Sequence, residues 1–218
     1  MADAARELET FARASAAAAW LDRGLETAAQ PEGVPFRAFF ASVSRRLGAA
    51  AGEKVAAGGV LATLGRPTHT LTDWVRALLV LRALGAVAPA AQPAFVLRLL
   101  EAGEIGEQES LLRTLEFLPE PSRFVETGLA ACRTNARRVF EAIACDNAFP
   151  AAHFDELGFR QLVLKAVFME VPVARIEGLA ARITPELRRM AADYASERRA
   201  AGRKVPDDLA LILGENSA

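Results

Sequence analysis

Glycine and proline in this chain fall mainly between segments with helical periodicity, and this distribution constrains the fold more than any other feature. Alanine, leucine, arginine and glutamate fill those segments, and all four favour helix formation. The apolar–polar alternation that is typical of strands is almost absent. The sequence therefore predicts an all-α fold. Helices are predicted near residues 3–29, 35–51, 70–86, 91–102, 106–118, 122–145, 155–170, 172–181 and 185–201.

The last of these helices has a start and a stop that follow from its residue types. Thr184 is a suitable N-cap, and Pro185 suits the first helical position because its missing N–H has no partner there anyway. Gly202 stands just past the predicted end, where a left-handed backbone is common. These residues predict a helix over 185–201.

The segment from residue 70 to 145 contains similar phrases, "LLVLRAL", "VLRLLEAG" and "SLLRTLEFLP". They indicate short antiparallel helical pairs, arranged either as a HEAT-like α-solenoid or as an irregular helical bundle. A chain of 218 residues is usually one domain, so a single domain is predicted over residues 1–218. Residues 48–70 are rich in glycine and small side chains, which predicts a mobile connection.

Charge and hydropathy exclude several classes of protein. The formal net charge is −1, so the chain as a whole has no excess of positive charge for nucleic acid or anionic lipid. No run of about 18 uninterrupted apolar residues occurs, and a membrane span is not expected. The start of the chain does not resemble a secretory signal, and Cys132 and Cys145 are too few for a disulfide scaffold. We expect a cytoplasmic location with both thiols free.

Two parts of the sequence partly match known chemical motifs. "GAAAGEKV" at residues 48–55 lacks the spacing of a phosphate-binding loop. Cys145, Asp146 and His153 could meet across a turn as a metal site or as a cysteine nucleophile with its base. A buried structural cysteine is the commoner interpretation. We therefore expect no metal site and no cofactor.

The stretch "FEAIACDNAFPAAHFDELGFRQLVLKAVF", residues 140–168, concentrates polar side chains in an otherwise apolar region. Gln161 and Lys165 share one stripe of the predicted helix. A lysine is seldom buried without a partner, so Lys165 either reaches solvent or meets a carboxylate, with Glu141 and Asp146 the nearest candidates. The stretch is a structural polar network, a small-molecule pocket or a catalytic site, and the sequence leaves these alternatives open.

Residues 132–206 resemble the C-terminal signature of the EboA-domain family. The resemblance rests on "RTN", "FEAIACDN", a helix "QLVLKAVF" and a final "DYASER". The matching positions are Arg133, Thr134, Asn135, Glu141, Asp146, Asn147, Pro150, Gln161, Lys165, Asp193, Tyr194, Glu197 and Arg198. The family pattern often has a polar residue such as asparagine where Arg160 stands and proline where Asp155 stands.

The resemblance implies a cytoplasmic accessory protein of the ebo pathway, in which secondary-metabolite precursors are made or exported. Its expected partners are a small-molecule metabolite or other ebo-pathway proteins. Our candidate ligand-binding residues are Arg133, Asn135, Glu141, Asp146, Asn147, His153, Gln161 and Lys165. Two alternatives remain, an enzyme that uses lysine, glutamate and histidine in acid–base chemistry and a HEAT-like module that binds nucleic acid.

Overall fold

A computed structural model of the protein describes residues 6, 9, 10, 13, 18–52 and 69–214. Within these ranges the chain forms helices and turns and contains no strand, so the predicted all-α fold is confirmed. The α-helices are α1 (Ala18–Thr27), α2 (Val34–Leu47), α3 (Leu71–Leu84), α4 (Gln92–Glu101), α5 (Ile105–Arg113), α6 (Val125–Cys132), α7 (Arg137–Ala144), α8 (Phe149–His153), α9 (Glu156–Phe168), α10 (Pro185–Ala200) and α11 (Ala210–Leu213).

The chain divides into two compact units, residues 1–127 and residues 128–218. The single domain over residues 1–218 and the HEAT-like solenoid or irregular bundle both stay predictions. Residues 53–68 of the predicted mobile connection lie outside the described residues, as do most of residues 3–17 in the first predicted helix.

Helix α10 begins and ends as its sequence predicts. The Thr184 side chain accepts a hydrogen bond from the main-chain N–H of Leu187 at 3.1 Å, and Pro185 is the first helical residue. Gly202 has a φ of +64°, which a residue with a side chain seldom adopts. Local cap chemistry therefore determines both boundaries.

The prediction of one helix over 122–145 is wrong. The segment forms a 3₁₀ turn at Pro121–Phe124 and then α6 and α7, with a break at residues 133–136. In the break the main-chain N–H of Ala136 donates to Thr134 Oγ1 at 3.1 Å. Such a local bond competes with helical hydrogen bonding, which gives the chain a stable alternative to a continuous helix.

The predicted helix over 172–181 is also wrong, because two 3₁₀ turns, Val173–Arg175 and Leu179–Arg182, occupy the segment. Between them Gly178 has a φ of +71°, which ends any right-handed helix. The main-chain N–H of Val173 donates to the Asp208 carboxylate at 2.6 Å. Helices α8 and α11 were not predicted, since elements this short show too little periodicity.

Helix α3 forms the centre of the first unit. Every residue from Leu71 to Val80 is buried, and the helix packs against α2 and α5. One of these buried residues is Arg76, whose side chain is 3% exposed. Its guanidinium donates to the Gly106 carbonyl at 2.7 Å and the Ser110 hydroxyl at 3.0 Å on α5, and to the Ser44 hydroxyl at 3.1 Å on α2. Arg76 thus joins three helices through a buried positive charge.

Helix α9 occupies the corresponding position in the second unit, where it packs against α7 and α10. Its buried residues are Gly158, Phe159, Leu162, Val163, Ala166 and Val167. They point in several directions around the helix, as the apolar pattern of residues 162–169 predicts. A helix enclosed in this way holds its remaining polar side chains in fixed positions, among them Lys165.

Candidate functional site

The break between α6 and α7 presents two main-chain carbonyls to Lys165 of α9. Lys165 Nζ donates to the carbonyl of Cys132 at 2.7 Å and to that of Thr134 at 2.6 Å. The last carbonyls of a helix have no intrahelical N–H partner and carry a partial negative charge. The Lys165 ammonium therefore stabilises the end of α6 and the turn after it.

The Lys165 ammonium also lies 5.5 Å from the centre of the Phe140 ring, within the range of a cation–π interaction. An ammonium carries three N–H donors. Two of them bind the carbonyls of Cys132 and Thr134, so one has no hydrogen bond to a described residue. That donor is open to a molecule that reaches Lys165.

Of the two alternatives for Lys165, solvent or a carboxylate, the pairing with Glu141 or Asp146 does not occur among the described residues, because two arginines bind these carboxylates. Arg137 Nε donates to Glu141 at 2.7 Å, and Arg175 Nη2 donates to Asp146 at 2.6 Å. Arg175 Nη1 also lies 3.9 Å from Glu141. The four side chains form an ion cluster of their own, and within the described residues Lys165 takes no part in it.

A recess of about 330 Å³ lies beside Lys165. Of the residues predicted to bind a ligand, Arg133, Gln161 and Lys165 line it. The wall also includes Leu129, Cys132, Asp155, Leu157 and Gly158. The recess therefore combines charged, amide and apolar groups, which is typical of small-molecule sites.

Asp155 and Gly158 form part of the recess wall. The Asp155 carboxylate accepts a hydrogen bond from the main-chain N–H of Gly158 at 2.7 Å and so caps the start of α9. A Cβ at Gly158 would lie 3.0 Å from Leu129 Cδ2 and 3.1 Å from the same carboxylate. Arg133 and Lys165 contribute two positive charges and Asp155 one negative charge, so the described lining of the recess is positive on balance.

The polar groups at the rim of the recess are exposed. Arg133 and Gln161 are both solvent-exposed. Among the described residues, neither side chain has a hydrogen-bond partner. Their donors are consequently available to an acceptor group in the recess.

The remaining predicted residues do not line this recess. Asn135 is exposed, and Glu141 and Asp146 belong to the ion cluster. Asn147 is buried; it donates to the Ala142 carbonyl at 2.9 Å and accepts from the main-chain N–H of Phe149 at 3.0 Å, so it holds the turn before α8. The ring of His153 lies 4.9 Å from that of Phe149, and desolvation lowers the pKa of His153.

The two thiols lie in surroundings that keep them protonated. Burial raises the pKa of the Cys132 thiol to about 12 and that of Cys145 to about 11. A thiolate is the nucleophilic form of cysteine, so these shifts disfavour the cysteine nucleophile considered from the sequence. In the part of the chain that the structure describes, no three His, Cys, Asp or Glu side chains are grouped to hold a metal ion.

We expect amine-reactive reagents to modify Lys204 at least about tenfold faster than Lys165, since the hydrogen bonds that the half-buried Lys165 donates to two carbonyls must break first. The Lys204 side chain is 77% exposed and forms a surface ion pair with Asp207. Peptide-level mass spectrometry of protein treated briefly with acetic anhydride measures both rates. After unfolding in guanidinium the two lysines should react alike, and equal rates in the folded protein would contradict the carbonyl contacts.

Sequence reasoning missed Leu129 and Leu157 in the recess wall. Leu157 stands one helical turn before Gln161, a spacing that places both on the same face of α9. A wider helical stripe would have included it. Leu129 belongs to another helix, and no local pattern relates it to α9.

A family model described as "Metabolite traffic protein EboA" matches residues 8–214. The searches of curated proteins and of solved structures found no match. Among the described helices, none is both long and apolar enough to cross a membrane. The family match extends well beyond the signature at residues 132–206 and covers nearly the whole chain, and the protein therefore belongs to the EboA family.

Proposed function

We propose that this protein is a non-enzymatic accessory of metabolite traffic that binds a small metabolite in the recess beside Lys165. One observation carries the proposal: donors that have no hydrogen-bond partner among the described residues line a single hollow. Arg133 and Gln161 are exposed at its rim, and Lys165 keeps one N–H without a bond to a described residue. The family description, metabolite traffic, supports the same role.

The lining favours a ligand with an anionic or carbonyl acceptor group and an apolar part. Arg133 and Lys165 supply two positive charges, and among the described lining residues only Asp155 supplies a negative one, so the balance is positive. Leu129 and Leu157 supply apolar surface. A volume of about 330 Å³ lies at the lower end of the range for small-molecule sites.

A carrier fits the contacts of Lys165 better than an enzyme does. Two carbonyls hold its ammonium as a hydrogen-bond donor. A lysine nucleophile would need a free, uncharged amine. The proposal includes the cytoplasmic location expected from the sequence. The resemblance to the EboA family implies a metabolite or another ebo-pathway protein as the partner.

Binding is tested with a panel of small organic acids and their matched neutral amides, using isothermal titration and native mass spectrometry. We expect at least one acid to bind with an affinity about tenfold above that of its amide, as a charge-assisted hydrogen bond predicts. Arg133→Ala should lower the affinity for that acid by about tenfold, and Gln161→Ala should lower it by a smaller factor.

Arg199→Ala is the matched control, because it also removes one positive charge. Arg199 is exposed on α10 and does not line the recess. The affinity of this variant for the acid should equal that of the unmodified protein. Equal affinity in Arg133→Ala and Arg199→Ala, or no preference for acids over amides, would refute the proposal.

A further inference from the structure

A second hollow, of about 440 Å³, lies between the end of α9 and the C-terminal half of α10. Phe168 and Tyr194 form its aromatic side, with ring centres 5.2 Å apart and ring planes at 87°. Phe168 is 65% exposed as a residue, which is unusual for one with so large an apolar side chain. Much of an aromatic surface is therefore open to a ligand at this position.

Two arginines border the same hollow, and they differ in their contacts. Arg198 lies over the Tyr194 ring, 5.8 Å from its centre, and is held by the Glu170 carboxylate at 3.0 Å and the Lys204 carbonyl at 2.7 Å. Arg203 follows the left-handed Gly202 and is exposed. Its guanidinium has no hydrogen bond or ion pair with a described residue. Arg198 thus stiffens the hollow, and Arg203 is available to bind.

The sequence motif "DYASER" at residues 193–198 supplies Tyr194, Glu197 and Arg198 to this hollow. The recess beside Lys165 uses none of these side chains. The hollow is consequently a separate feature of the second unit, and what it binds does not depend on the function proposed for the recess.

We infer that this hollow binds a planar aromatic carboxylate. The ring of the ligand stacks on the exposed face of Phe168 and meets Tyr194 edge to face, because the two ring planes stand at 87°. Its carboxylate takes a bidentate pair of hydrogen bonds from Arg203. Aromatic side chains beside a planar guanidinium match the two ends of such a molecule. Glu197 also lines the hollow and repels the carboxylate, which orients the anionic end towards Arg203.

Tyr194 is the one tyrosine of the chain, so 3-fluorotyrosine places a single ¹⁹F label at the hollow. We expect 2-naphthoate to shift the ¹⁹F resonance in a saturable way. The neutral 2-naphthamide should bind about tenfold more weakly, since it forms no charge-assisted pair. Arg203→Ala should lower the affinity for 2-naphthoate by about the same factor, and Phe168→Ala should also lower that affinity.

Two control variants locate the binding. Arg199 lies on α10, like the labelled Tyr194, but outside the hollow, so Arg199→Ala should bind 2-naphthoate as tightly as the unmodified protein. Arg133→Ala should do the same, because Arg133 belongs to the recess. An unmoved ¹⁹F resonance, equal affinity for acid and amide, or an Arg133→Ala effect as large as that of Arg203→Ala overturns the inference. A thermal unfolding midpoint of Arg203→Ala close to that of the unmodified protein shows that the variant is folded and that its loss of binding has another cause.

Discussion

Arg76→Leu should lower the free energy of unfolding of the first unit by about 2–4 kcal/mol, because unsatisfied buried acceptors cost about 1–3 kcal/mol each and loss of the desolvated guanidinium offsets part of that cost. The substitution removes the guanidinium donor from the hydroxyls of Ser110 and Ser44 and from the Gly106 carbonyl, which, among the described residues, keeps only the Ser110 hydroxyl as a side-chain donor, at 3.1 Å. The carbonyl of Phe40 also loses the hydrogen bond that Arg76 Nε donates at 3.3 Å, because a leucine side chain has no donor. Arg76→Lys should recover little, because an ammonium lacks the fork that reaches α2 and α5 together.

Tryptophan fluorescence measures this effect, because Trp20 and Trp74, the two tryptophans of the chain, both lie in the first unit. Urea unfolding of Arg76→Leu should show a lower midpoint than that of the unmodified protein. Arg82→Leu is the control: Arg82 is exposed on the same helix, and its loss should change the stability by about 0.5 kcal/mol or less. Similar midpoints for the two variants would show that the Arg76 network does not stabilise the unit.

Gly178→Ala should destabilise the second unit by about 3 kcal/mol, from two causes that add. The φ of +71° is unfavourable for any L side chain and costs about 1–2 kcal/mol. The new Cβ would also lie 2.7 Å from the Cβ of Ala151, and overpacking of this kind costs about 1–3 kcal/mol. Urea unfolding followed by far-ultraviolet circular dichroism measures the change.

Gly202→Ala separates the two causes. Gly202 has a φ of +64°, and a Cβ there would meet no atom within 4 Å. Its substitution should therefore cost only the backbone part, about 1–2 kcal/mol. Ala151→Gly combined with Gly178→Ala should recover part of the difference. If the two single variants are equally stable, Ala151 and Gly178 do not pack as closely as described.

The features that could be predicted are those that depend on local chemistry. The caps of α10 follow from Thr184, Pro185 and Gly202, and the apolar pattern of α9 predicts a helix packed on several sides. The stripe that contains Gln161 and Lys165 indicates part of the recess. Each of these rests on spacings of four residues or fewer, over which helical geometry is fixed.

The features that could not be predicted depend on contacts between distant residues. Lys165 binds main-chain carbonyls, and because every residue has a carbonyl, the sequence carries no signal for this partner. The break after α6 is different, because Thr134 and Asn135 are weak helix formers and gave a local signal that the prediction of one helix over 122–145 overlooked. Arg76 lies in an apolar tract with exposed arginines around it, and only the packing of α2 and α5 distinguishes it from them.

The hydrogen bonds from Lys165 to the turn after α6 determine when this segment of the chain can fold. The two carbonyls that Lys165 holds precede it by 33 and 31 positions. During synthesis the turn carrying Arg133 therefore emerges well before the residue that fastens it. A chain truncated ahead of α9 would lack that fastening, and the recess could not form until the later helix docks.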